Sequence, residues 1–238
     1  MKKFGYLGLV RSSDFINGEQ LAKEIGLKEG EPHHLDCDWL HFILEGQEIL
    51  IPTKTFRHSI SWRAIYERGA VYSDTEGFGL YPFPTNKPRN QNTFVDIAGG
   101  RYKVTLLKGS NGDNQTHTLG YNYNNHPSLY DSKSTWDSEW NQLMYRVHDG
   151  VHNSDYSNPV NASHPYGVWD QLSDTQLQLD CSKDKNGTAS WCQEKGTWED
   201  CWRDRRVVRG FCGVSFVHCN VVDSSHPLHG WRPALRKI

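Results

Sequence analysis

The chain has 238 residues with 26 Lys+Arg against 28 Asp+Glu, a formal net charge of -2. That length allows a sizeable buried core in one large or two small domains. The near-balanced charge excludes a general nucleic-acid binder, which needs a basic patch to displace counterions. No apolar stretch approaches the length of a membrane span. The opening Met1–Val10 run is cut off by Arg11 and Asp14 with no small-residue cleavage site, so it does not read as a secretory signal.

Residues 14–26 predict a short helix, with Asp14 as cap, Leu21, Ala22 and Ile25 at helical spacing, and Gly26 as stop. Residues 39–51 predict a β-hairpin. Trp39–Leu44 and Glu48–Ile51 flank Glu45-Gly46-Gln47, and Pro52 ends the second strand. A two-turn helix follows over 59–69, from a serine cap through Trp62, Ile65 and Tyr66 to Gly69. Residues 74–100, rich in Gly, Pro, Asn and Thr, read as a long surface loop, and 101–107 alternate as a strand does. A polar loop over 109–134 then leads into a helix over 134–147. Trp136, Trp140, Leu143 and Val147 share one of its faces, and Asp137 and Glu139 sit where the helix dipole favours acids.

The end of the chain is distinctive. Arg206-Val207-Val208-Arg209-Gly210 reads as a short strand, 211–229 as a polar loop, and Gly230-Trp231-Arg232-Pro233-Ala234-Leu235 as a closing apolar segment. A loop held between two fixed ends suits display of exchangeable side chains. The 9 Trp, 11 Tyr, 9 Phe and 21 Gly favour a loop-rich α+β fold over a helical bundle, and also resemble the composition of binding surfaces. No internal repeat or low-complexity linker divides the chain. We read 1–238 as a single domain, with 1–38 as an N-terminal extension or attachment segment.

The cysteines and histidines are the residues whose spacing could carry chemistry. Of 6 Cys, all but Cys37 lie in the C-terminal part, as Cys181, Cys192, Cys201, Cys212 and Cys219. Their spacing matches no zinc pattern, and free buried thiols are the default expectation. Three histidine pairs have suggestive spacing: His33 and His34 ahead of Asp36-Cys37-Asp38, His148 and His152, and His226 and His229. None has an identifiable third ligand in sequence, so no metal site is assigned. No nucleophile elbow or glycine-rich phosphate loop is present, and no catalytic residue or cofactor is assigned.

Four points resemble the formylglycine-generating-enzyme (sulfatase-modifying factor) branch of the C-type-lectin-like fold. They are a Ser61-Trp62 helix start, a Glu139-Trp140 helix start, the Arg206–Gly210 strand, and Gly230-Trp231-Arg232-Pro233. Within that branch the passages Arg57–Trp62, Tyr102–Leu107 and Trp140–Tyr145 are similar to proteins of bacteriophage virions and tail fibres. The resemblance implies a C-type-lectin-like domain with two main helices and Trp62, Trp140, Arg209 and Trp231 as framework. It implies a non-enzymatic virion structural protein (tail, fibre or capsid decoration), synthesised in the host cytoplasm, that contacts other virion subunits and forms homo-oligomers. A host-surface glycan or receptor is the other implied partner. The implied binding residues are Phe211, Ser215, Phe216, His218, Asn220, Asp223 and His226, with Tyr121 and Tyr123 in the 109–130 loop. The enzyme branch uses a copper-binding cysteine pair after the Arg-Gly strand. Here Gly210-Phe211-Cys212 replaces its Gly-Gly-Ser, and Cys212 and Cys219 do not align with that pair one to one. A copper-dependent oxidase remains the competing class.

Overall fold

The computed structural model describes residues 4–73, 89–110, 138–149, 169–196, 204–211, 213–214 and 216–238. Among these residues the fold is mixed α+β, with three α-helices and two six-stranded sheets. The strands are β1 (Phe4–Val10), β2 (Glu31–Pro32), β3 (Trp39–Leu44), β4 (Gln47–Pro52), β5 (Arg57–His58), β6 (Phe94–Ile97), β7 (Gly100–Thr105), β8 (Ala189–Gly196), β9 (Arg205–Arg209), β10 (Val217–Val221), β11 (His229–Trp231) and β12 (Ala234–Lys237). The helices are α1 (Gly18–Glu24), α2 (Trp62–Glu67) and α3 (Glu139–Val147). One sheet has the order β1-β3-β4-β12-β7-β6, the other β10-β9-β8-β11-β5-β2. Among the described residues, no helix is long and apolar enough to cross a membrane.

The hairpin of β3 and β4 forms where the sequence predicts it, with Gln47 in β4 rather than in the turn. Glu45 and Gly46 both take positive φ (52° and 88°), the backbone that a two-residue hairpin turn requires. Both strands carry apolar residues on both faces, and both faces are packed except toward the turn, where His41, Ile43 and Glu48 are half-buried. Trp39 and Leu50 join a core with Leu21 of α1, Trp62 and Ile65 of α2, and Trp191 and Trp231 of the second sheet. Leu40, Phe42, Ile49 and Ile51 pack on the other side with Trp140, Leu143 and Met144 of α3.

Several boundaries differ from expectation. The first helix is capped by Asn17 rather than Asp14, because Asn17 and Gln20 form a reciprocal capping box, while 12–14 make a short 3-10 turn. Ser61 caps α2, as the Ser61-Trp62 helix start implies, while Ser59 precedes the helix in the left-handed region at φ 51°. The helix α3 starts at Glu139 with Ser138 as cap, and 134–137 lie outside the described residues. The predicted 74–100 loop ends in a strand: β6 pairs with β7 through an Ala98-Gly99 turn. The predicted 211–229 loop contains β10, fully paired with β9. Free thiols are found at Cys37 and Cys192, but Cys181 is disulfide-bonded, which corrects the default. Spacing could not show this, since a disulfide depends on the distance between two Cα atoms in the folded chain.

Two of the chain's passages between the sheets are short. The chain passes from β4 in the first sheet to β5 in the second, and returns from β11 in the second to β12 in the first. Arg232 stands at the second crossing and bonds the backbone of the first. Its Nη1 donates to Thr53 O (2.7 Å) and Pro52 O (3.4 Å), its Nη2 to Leu177 O (2.7 Å) and its Nε to Ser190 Oγ (3.1 Å). Gly230 is needed beside it, because a Cβ there would collide with the carbonyl oxygen of Gly187. Gly210, at φ 92°, ends β9 in a conformation that other residues rarely adopt.

The four expected framework residues are all fully buried: Trp62, Trp140, Arg209 and Trp231. Trp62 donates to Cys192 O (3.0 Å) and Trp140 to Val214 O (2.8 Å). Arg209 donates to Asn141 Oδ1 (2.6 Å) and Gly109 O (3.0 Å), and lies 5.7 Å from the Trp140 ring centroid. Glu139 is buried at the start of α3, accepting from Arg236 (2.6 Å) and from the Lys108 amide (2.8 Å). Trp231→Ala should cost about 3 kcal/mol, the usual result of emptying a packed indole site. A thermal melt unchanged by that substitution would contradict the core described here.

Candidate functional site

A cleft of about 550 Å³ opens where β1, the β2–β3 connection and the first sheet crossing meet. Leu9, Leu35 and Leu172 give it apolar walls, and His34, Asp36, Asp38 and Lys54 supply charged or titratable groups. Cys37 also lines it. Its thiol contacts Lys54 O (3.6 Å), and burial raises its pKa, so it is held protonated and is a poor nucleophile.

At one end of the cleft, His33 and His34 converge on Asp184. His33 Nε2 lies 2.8 Å and His34 Nε2 3.2 Å from the same oxygen, Asp184 Oδ2. The other carboxylate oxygen accepts the Asn186 amide (3.0 Å). Neighbouring residues of a strand point to opposite faces. Here His34 takes φ 35°, and the two rings come to lie side by side with centroids 3.9 Å apart. Burial, reinforced by the nearby His33 and Lys54 charges, lowers His34 to about 4, leaving it neutral at physiological pH. Burial alone would raise the Asp184 pKa, but the hydrogen bonds from His33 and the Asn186 amide outweigh it and the net shift is downward. His58 stands next to this group, its ring 5.1 Å from that of His33, and burial lowers its pKa as well.

The sequence singled out His33 and His34 but offered no third ligand. Asp184 supplies one from 150 residues away, and no local pattern marks it. The other histidine pairs behave differently. His148 is buried against Asp174 (2.8 Å) after the end of α3, and His152 lies outside the described residues. The His226 and His229 rings are 6.0 Å apart. Among the described residues, His33, His34 and Asp184 are the group with metal-ligand spacing.

The expected binding residues are distributed over a hairpin rather than an open loop. Phe216 is buried, 5.4 Å edge-on from the half-buried Phe211, and 6.2 Å from His218 on β10. Asn220 is engaged internally: its Nδ2 donates to His229 Nε2 (2.9 Å) and its Oδ1 accepts the Val221 amide (2.8 Å). Asp223 is exposed but holds Arg63 of α2 (2.8 Å). His226 is exposed and accepts the Leu228 amide (3.2 Å). Ser215, Tyr121, Tyr123, Cys201 and Cys212 lie outside the described residues. Cys219 is fully buried on β10.

A third feature is the β1 edge. Among the described residues, β1 pairs with β3 on one side and has no strand on the other. A bulge at Leu7 interrupts the pairing between Tyr6 and Gly8, and Phe4, Leu7 and Leu9 are exposed by 45%, 47% and 50%.

The arrangement defines a two-sheet α+β protein with a polar cleft and an apolar strand edge. Comparison with protein-family models, curated proteins and solved structures gave no match.

Proposed function

We propose that this chain is a non-enzymatic, C-type-lectin-like structural protein of a bacteriophage particle, which joins other virion subunits, including copies of itself, through its β1 edge. The observation that carries the assembly role is that edge. A strand with unpaired backbone groups and three outward apolar side chains is a ready template for a second strand, and proteins that stay apart usually blunt such edges with charge. Two β1 edges paired antiparallel about a two-fold axis are self-complementary.

The lectin-like reading is supported by where its motif residues lie. Trp140 sits between two buried guanidiniums, 5.7 Å from Arg209 and 5.9 Å from Arg232, so three of the four motifs meet in one core. The exposed turn carrying Asp223 and His226 offers a second contact face toward a subunit or a host glycan. Cys219 is fully buried in an apolar cluster with Val207 and Val217, away from the surface where a protein substrate would dock.

The test joins two measurements. Antibody against this chain should label purified particles in electron micrographs, and unlabelled particles would overturn the virion assignment. In solution, wild-type protein should sediment as an oligomer, and Leu7→Lys with Leu9→Lys should shift it to monomer without lowering its melting temperature. Monomeric wild-type protein would remove the β1 edge as the assembly surface.

A further inference from the structure

We propose that His33, His34 and Asp184 form a binding site for a divalent transition-metal ion of the zinc class, with an open coordination position toward the adjacent cleft. This goes beyond the assembly role and does not depend on it.

The donor set is chemically specific. Two imidazole nitrogens and one carboxylate oxygen, all within 4.8 Å of one another, are borderline ligands that suit zinc and its neighbours better than calcium or magnesium. Ligands about 2.0–2.2 Å from a tetrahedral zinc lie roughly 3.3–3.5 Å apart. The observed separations of 2.8 and 3.2 Å fall short of that spacing by only a few tenths of an ångström.

The site is also held from behind. The His33 amide donates to Phe56 O (2.8 Å), fixing it beside β5, and His34 O accepts the Cys37 amide (3.1 Å). Asn186 engages Asp184 Oδ1, which leaves Oδ2 directed at both rings. Supporting bonds of this kind orient metal ligands and tune their affinity. A pair of hydrogen bonds to one aspartate needs only one histidine on each side of it. Here two consecutive histidines are turned to the same oxygen, by a backbone conformation uncommon outside glycine. Three protein ligands leave a fourth position for water or an oxygen-donor ligand, as in zinc sites that are not purely structural. His34 is the ligand that also lines the cleft, and there Asp36 and Asp38 outnumber Lys54 in favouring entry of a cation.

The experiment uses untagged full-length protein stripped with chelator and titrated with zinc and with cobalt. One equivalent of zinc should bind, and cobalt should give the intense visible bands of a four-coordinate site. X-ray absorption on the zinc form should show two imidazole nitrogens and one carboxylate oxygen at about 2.0–2.1 Å. The paired substitution His33→Ala with His34→Ala should weaken binding at least about 100-fold. Asp184→Asn should weaken it less, and both variants should keep the metal-free melting temperature within a few degrees. Absence of stoichiometric uptake overturns the proposal, as does uptake that these substitutions leave unchanged. If the variants fold poorly, the absorption spectrum of the wild-type zinc form decides, since a sulfur-ligated or all-oxygen shell would place the metal elsewhere.

Discussion

Arg232→Ala is expected to remove on the order of 5 kcal/mol of stability, a large share of what a typical domain possesses. The side chain is 1% exposed and burial lowers its pKa to about 10, so it is a buried cation at neutral pH. Its guanidinium satisfies the carbonyl oxygens of Pro52, Thr53 and Leu177 and the Ser190 hydroxyl. Truncation leaves those acceptors in a dry interior, each costing about 1–3 kcal/mol, and adds a cavity against Trp140. Solvent reaching the void offsets part of that sum. Because the same group joins the β4–β5 and β11–β12 connections, its loss should loosen the two sheets together. Arg232→Lys should recover part of the loss, since an ammonium supplies charge without the planar fork. Urea titration monitored by tryptophan fluorescence reads both variants. A loss below about 1 kcal/mol for the alanine variant would mean that water replaces the guanidinium and that the crossings do not depend on it.

Elements whose signals are local were legible in the sequence. The β3–β4 hairpin declares itself through apolar strands around Glu45-Gly46, α2 through its capping serine, and α3 through Trp140, Leu143 and Val147 on one face. The misassigned segments have weak local signals and strong tertiary ones. The strand β6 is short, yet it alternates, with Val95 and Ile97 inward and Phe94 and Asp96 outward, and that alternation could have been read inside the supposed loop. The strand β10 carries histidine and asparagine, which suggest a loop, and becomes a strand because β9 pairs with it along its whole length. The candidate metal site was half legible: His33 and His34 stand out as neighbours, but Asp184 reaches them only through the fold. The role of Arg232 was equally hidden, since nothing in the sequence around it names Pro52, Thr53 or Leu177 as its partners.

Acidification should destabilise the protein well before its carboxylates titrate, and His229 and His218 should account for much of the loss. Both have pKa values lowered to about 4, chiefly by burial, with Arg205 adding to the effect at His218 and His226 and His218 adding to it at His229. A folded-state value below the unfolded value of about 6.5 means that the unfolded chain takes up protons first as pH falls. The stability these groups contribute is therefore full above about pH 6.5 and is lost progressively toward pH 4. His229 is 3% exposed, so its share is on the order of 3 kcal/mol. Beside burial, the Asn220 hydrogen bond opposes protonation of His229. His229 Nδ1 donates to Ser224 O (3.2 Å), which leaves Nε2 to accept from Asn220 Nδ2. Protonation would set a second N–H against that amide. Asn220 cannot simply turn over, because its Oδ1 already holds the Val221 amide. The ring also packs 4.6 Å from Trp191, where solvent cannot reach to stabilise the charge. Stability measured by urea titration from pH 7.5 to pH 4.5 should fall steeply for the wild type. His229→Gln should start lower and fall less, so the two curves converge. Parallel curves for wild type and variant would show that His229 does not carry the pH dependence, and the same comparison for His218→Gln would then find or exclude the second histidine as its source.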